Sequence, residues 1–175
     1  MRDPAETTQT LSDDDFTVSI EDRYFEDYSE GAVYEYGHVT VTEAEILNFA
    51  RAFDPQPIHV DPEFAAEGPF HGLIASGRHT GALMMRLFAD HYLSRVASLA
   101  SPGIDELRWP APLRPGDSVR IRVTTVETRR SRSKPDLGLV RSQVELITQN
   151  DEAVLTLTAM NLLRARDVDE ASAGN

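Results

Sequence analysis

The sequence predicts an α+β domain in which an antiparallel sheet curves around one central helix. Three observations carry this expectation. Leu73, Gly77, Gly81, Met84, Phe88 and Tyr92 recur on one face at helical spacing, with Ile74, Leu83 and Leu87 widening the apolar stripe; the helix they predict begins near Gly72 or a few residues later and runs to about Leu93. Gly77 and Gly81 lie inside it, each costing about 1 kcal/mol relative to Ala, so a helix that keeps both is expected to press closely on other backbone. Downstream the hydrophobic period falls to two: Val119, Ile121 and Val123 alternate behind the turn Arg114-Pro115-Gly116-Asp117, and 139–148 and 154–166 form two further strands joined by the polar loop 149–152. A buried helix followed by long, locally connected strands is an α+β arrangement. Its sheet has free edges that a second copy of the chain could cover, so a homodimer is expected.

The remaining elements follow in chain order. Residues 1–15 are acidic and poor in apolar groups, which predicts a disordered tail. Residues 16–20 and 33–41 alternate and suit strands or extended edges. Thr42 and Glu45 form a capping box, behind which Ile46, Phe49, Ala50 and Phe53 recur at helical spacing; this helix should end near Phe53, because Pro55 follows. Residues 62–66 could make a brief helical turn. The small, acidic residues 167–175 should be a frayed end. With no repeats and no dividing linker, 16–166 reads as one domain.

Composition sets bounds on function. A chain of 175 residues, 41% hydrophobic and 26% charged, can bury a sizeable core. Its net charge of −12 argues against non-specific binding to nucleic acid or to an anionic membrane, and no apolar run approaches the length of a membrane span. The acidic start is neither a secretory signal nor a transit peptide, and the absence of cysteine excludes disulfides and thiol nucleophiles and fits a cytoplasmic protein. Lys134 is the only lysine against sixteen arginines, a bias that either a high-salt cytoplasm or arginine-favouring codon usage would produce.

The stretch 53–80, FDPQPIHVDPEFAAEGPFHGLIASGRHT, carries the candidate chemistry. Pro55 and Pro57 bias Asp54 and Gln56 away from helical backbone, which forces an irregular loop with an acid and a base, Asp54 and His59, at its two ends. Such a pair can share one water, deprotonating it while supplying a proton elsewhere. A backbone N–H at a helix start could stabilise developing negative charge, and Gly72, opening the predicted helix behind His71, is placed for that role. Other readings of these residues are blander. His59, Asp61, His71 and His79 match no metal-ligand spacing. Ser76 and Thr80 suit helix-surface hydroxyls, and Ser76 lacks a nucleophile-elbow sequence. Arg129, Arg130, Arg132 and Lys134 form either a solvated hairpin end or, as the one concentrated cationic patch, a phosphate site.

The motifs Val41-Thr-Glu-Ala-Glu45, Asp54-Pro-Gln-Pro-Ile-His59-Val-Asp-Pro62, His71-Gly-Leu-Ile-Ala-Ser76, Leu113-Arg-Pro-Gly-Asp117 and Ser131-Arg-Ser-Lys-Pro-Asp136 together resemble the MaoC-like acyl dehydratases and the related (R)-specific enoyl-CoA hydratases, which have the hot-dog fold. The resemblance spans residues 24–166. It implies an acyl-CoA thioester substrate, with CoA as part of that substrate and no metal or redox cofactor. It implies catalytic roles for Asp54 and His59, an oxyanion-binding amide at Gly72, and a substrate-site hydroxyl at Thr80, with Ser76 one turn earlier as the competitor. The chain departs from the hydratase pattern in having Phe53 where Gly is common and Gln56 where Asn is common. The implied reaction is hydration of trans-2-enoyl-CoA, or dehydration of (R)-3-hydroxyacyl-CoA; a hot-dog thioesterase and a non-catalytic acyl-CoA-binding module are the rival expectations.

Overall fold

The computed structural model describes residues 9–166. A two-residue strand, β1 (Gln9–Thr10), and a 3₁₀ turn (Phe25–Asp27) precede β2 (Val33–Thr40). Three helices follow: α1 (Glu43–Phe53), α2 (Pro57–Val60) and α3 (Pro62–Glu67). Helix α4 (Gly77–Leu87) continues as one π turn over Phe88–Tyr92, and then come β3 (Ser98–Arg108), β4 (Ser118–Arg130), β5 (Leu137–Thr148) and β6 (Ala153–Arg164). The strands make a single sheet in the order β1-β2-β4-β5-β6-β3, with every pairing antiparallel.

Period-two burial explains why the sheet wraps the helix. Val119, Ile121, Val123 and Thr125 on β4 are buried, as are Val140, Ser142, Val144 and Leu146 on β5 and Leu155, Leu157, Ala159 and Leu163 on β6. Against this face lie Thr80, Met84 and Leu87 of α4, followed by Phe88 and Tyr92. The helix is seated by apolar burial along its length and by polar ties at its C-terminal end, among them the Tyr92 hydroxyl, which lies 2.8 Å from both Thr125 Oγ1 and Ser142 Oγ.

Several expectations need correction. The second helix starts at Gly77, at the late end of the expected range, because the Ser76 hydroxyl accepts the Arg78 N–H and so caps it there; Gly72 itself lies outside it. Residues 16–20 form no strand; Phe16 instead stacks on Tyr34 at 4.2 Å between centroids, with the Arg23 guanidinium over its other side. Residues 9–15 of the expected disordered tail run along the sheet edge: β1 pairs with β2, and Ser12 and Asp14 accept the N–H groups of Glu35 and Val33. Residues 1–8 and 167–175 of the expected tails lie outside the described residues. Strand β3 is unforeseen; it is an edge strand, where proline and register shifts are tolerated. Finally, the loop expected after Pro55 holds a full helical turn, with Pro57 at the first position of α2. None of the described helices is long and apolar enough to cross a membrane.

Candidate active site

Helix α1 is closed at its N-terminus by the Thr42–Glu45 capping box and ends at Asp54, whose N–H donates to the Ala50 carbonyl while its backbone turns out of helical conformation. The chain folds tightly over Pro55, where the Gln56 N–H donates to the Asp54 carbonyl at 2.8 Å; Gln56 itself is extended, as Pro57 requires, and α2 then brings His59 back toward Asp54. His59 Nε2 lies 3.7 Å from Asp54 Oδ2. The histidine is buried, 6% exposed, whereas the Asp54 side chain keeps 22% of its surface open.

Each member of the pair is oriented from behind. His59 Nδ1 is 3.0 Å from the Ile74 carbonyl oxygen, and a carbonyl can only accept, so Nδ1 carries the hydrogen and Nε2 is the atom left to exchange a proton. The Ser76 hydroxyl donates to Asp54 Oδ2 at 2.6 Å, and the Gln56 amide donates to Oδ1 at 2.7 Å. These donors, Ser76 first and Gln56 second, hold the Asp54 carboxyl below its ordinary range, because both favour the ionised form. At 3.7 Å the acid and base are too far apart for a direct hydrogen bond, yet close enough for one water to reach both.

The pair opens into a cleft of about 410 Å³ whose walls include Ile74 and Gly77 from the α4 approach and Trp109, Pro112 and Leu113 from the β3–β4 loop. This is within the size range of small-molecule sites. The loop is fastened to the site by the Ala75 N–H, which donates to the Leu113 carbonyl at 2.8 Å.

The other expected site residues divide. Thr80 and Ser76 both reach the cleft, but their hydroxyl protons are used inside the protein: Thr80 Oγ1 donates to the Ser76 carbonyl, and Ser76 to Asp54. Gly72 opens no helix; its N–H donates to the Ala65 carbonyl at 3.0 Å, and it is absent from the cleft wall. The first-turn amide on that wall belongs to Gly77, which as the first residue of α4 has no partner within its helix. Arg129, Arg130, Arg132 and Lys134 do not meet the dyad of their own chain. They sit at the β4–β5 end, about 40 Å along β4 from the Ser118 end near the cleft at roughly 3.3 Å per residue. Arg130 is paired there with Glu26, and Arg129 lies 3.7 Å from Glu127. Asp61 caps α3 and the buried His79 stacks on Phe49, so both have structural work. Sequence reasoning missed Gln56 as a carboxylate donor and Trp109 as a wall; Pro110 and Pro112 beside the chain's single tryptophan were the available signal.

Residues 27–148 match the family model described as "MaoC like domain". The chain belongs to the MaoC-like dehydratase family. A MaoC-like dehydratase from Rhodospirillum rubrum of known structure is 36% identical, with a TM-score of 0.78 over 83% of this chain and 99% of that one. A Mycobacterium tuberculosis protein with a double hotdog fold superposes with a TM-score of 0.72 at 20% identity, over 86% of this chain and 47% of that one, a likeness of fold alone. The hot-dog fold of this MaoC-like chain is thereby shown. Among curated relatives, 3-hydroxyacyl-thioester dehydratase Z of Mycobacterium tuberculosis is 46% identical over 84 residues. That match spans 47% of this chain and 56% of the relative, so the chain matches little more than half of that protein's length.

Proposed function

We propose that this protein is a hydro-lyase that adds water across the double bond of trans-2-enoyl-CoA thioesters, or removes it from (R)-3-hydroxyacyl-CoA, with Asp54 and His59 as its acid–base pair. The observation that carries this reading is the arrangement of Asp54 Oδ2 and His59 Nε2, 3.7 Å apart at one cleft, with the rest of each side chain tied back. In the hydration direction the ionised Asp54 takes a proton from a bridging water as its oxygen bonds to C3. His59, once Nε2 also carries a proton, gives that proton to C2, and the proton taken by Asp54 then passes back to Nε2 to reset the pair. The enolate formed between these events needs a donor at the thioester oxygen, and the Gly77 amide at the positive end of α4 is suited to that role. Dehydration runs the same steps in reverse.

The test is a panel of trans-2-enoyl-CoA esters followed by loss of enoyl absorbance, with free thiol measured in parallel. Hydration without thiol release supports the reading. Thiol release would instead favour a thioesterase, and binding without turnover on any ester would favour a non-catalytic acyl-CoA-binding module. We further propose a cytoplasmic homodimer acting in acyl-thioester metabolism. The dimer is supported by β3, an eleven-residue edge strand with Leu99 and Ile104 exposed. Any contact between the hairpin arginines and a CoA seated at this cleft would have to come from the second copy. Light scattering that returns a monomer would refute the dimer.

A further inference from the structure

Trp109 is the only tryptophan in the chain, and it stands on the wall of the cleft with 42% of its surface exposed. Its indole packs directly against the start of α4. A Cβ placed on Gly77 would be 2.7 Å from Trp109 Cε2 and 3.0 Å from Nε1, closer than packed atoms come, so only glycine admits the ring in this position. The ring is fixed there by its Nε1–H, which donates to the Gly77 carbonyl at 3.0 Å, and the Arg78 guanidinium faces it at 5.9 Å. Pro110 and Pro112 stiffen the loop that carries it, and Leu113 anchors the loop to Ala75. With helix directly beneath it, the ring cannot retreat toward α4 to admit a larger ligand; it can only be pushed outward.

We propose that Trp109, seated on Gly77, is the wall that limits the size of the acyl group the cleft accepts, and so is a specificity-determining residue. The inference rests on the thioester reading above. The thioester group must lie at Asp54 and His59, so the variable part of the substrate is the acyl chain, which has to share a cleft of only about 410 Å³ with it. The largest side chain on that wall then decides how much chain fits. One methylene in an apolar pocket is worth roughly 10–200-fold in discrimination, so removing an indole should be easily visible.

Two measurements test this. In the unaltered protein the lone tryptophan reports directly on the cleft. Butyryl-, octanoyl- and dodecanoyl-CoA, which lack the double bond and are not hydrated, should change its emission more than CoA alone does; an identical response to CoA alone would show that the ring meets only the carrier and would overturn the proposal. In Trp109→Ala, the ratio of kcat/KM for a long 2-enoyl-CoA to that for a short one should rise by about tenfold or more, with Trp109→Phe between Ala and the parent. An unchanged ratio in both variants would overturn it, even if overall activity falls. Should the parent hydrate no enoyl thioester while acyl-CoA still alters the emission, the hydration reading fails and the wall assignment stands.

Discussion

At its C-terminal end the central helix delivers Tyr92 into a closed set of hydroxyls; at its N-terminal end it delivers Ser76 into an open one. The Tyr92 hydroxyl meets Thr125 and Ser142, its carbonyl accepts from Tyr28 and Arg23, and the Tyr28 oxygen in turn accepts the Ser94 N–H. Burial pushes both phenols up, that of Tyr28 to about 12, so neither ionises near neutral pH. The Ser76 end uses groups just as polar, but its donors leave His59 Nε2 and one side of the Asp54 carboxylate facing a cleft. The difference teaches that a buried polar cluster becomes a candidate for chemistry when its partners orient it without saturating it. A saturated cluster, such as the one around Tyr92, fixes the helix in the sheet.

The comparison can be broken most severely at the dyad. Asp54→Asn and His59→Ala should each lower kcat for enoyl-CoA hydration by about 10²–10⁴ while leaving the unfolding midpoint nearly unchanged, and the double variant should fall little below the worse single one. Near-normal turnover in either folded variant would remove the assignment. The reverse pattern is expected at the other end. Tyr92→Phe strands the buried Thr125 and Ser142 hydroxyls and should cost about 1–3 kcal/mol in denaturant unfolding, with kcat per folded molecule little altered.

Ser76→Ala sharpens the comparison, because that side chain serves both fold and site. Loss of the helix cap should cost about 0.5–2 kcal/mol. Loss of the donor to Asp54 also removes the first cause of its lowered pKa, so the carboxylate protonates at higher pH and the acid limb of kcat/KM should move upward. Ser76→Thr should restore the limb; a limb that does not move in Ser76→Ala would mean the 2.6 Å contact does not tune the carboxylate. The smallest effect is expected at Gly81. Its added methyl would meet only Leu155 Cδ1 at 4.0 Å, so Gly81→Ala should stabilise by up to about 1 kcal/mol, whereas Gly77→Ala must displace Trp109. Destabilisation at Gly81 would contradict this account of the helix packing.

The amino-acid sequence by itself determined the elements whose signals are local. The Thr42–Glu45 box sets the start of α1 within a residue, the prolines force the Asp54–Gln56 bend, and the alternation at Val119, Ile121 and Val123 dictates which face of β4 turns inward. It also kept Asp54 and His59 close, because only four residues separate them. Tertiary structure decided what depends on partners far along the chain. Ser76 rather than a residue near Gly72 caps the central helix, and Gly77 rather than Gly72 brings a first-turn amide with no partner in its own helix to the cleft wall; both follow from hydrogen bonds to Arg78 and Ala65 that residue spacing does not reveal. Of the two glycines that helical spacing made equivalent, Gly77 is pressed by the distant Trp109 and Gly81 has room. The hairpin arginines, concentrated in sequence, lie at the far end of a thirteen-residue strand, because an antiparallel hairpin carries its tip away from whatever packs at its base. Period and propensity act over a few residues, whereas the tautomer of His59, the donors on Asp54 and the wall made by Trp109 depend on which surfaces the folded sheet brings together.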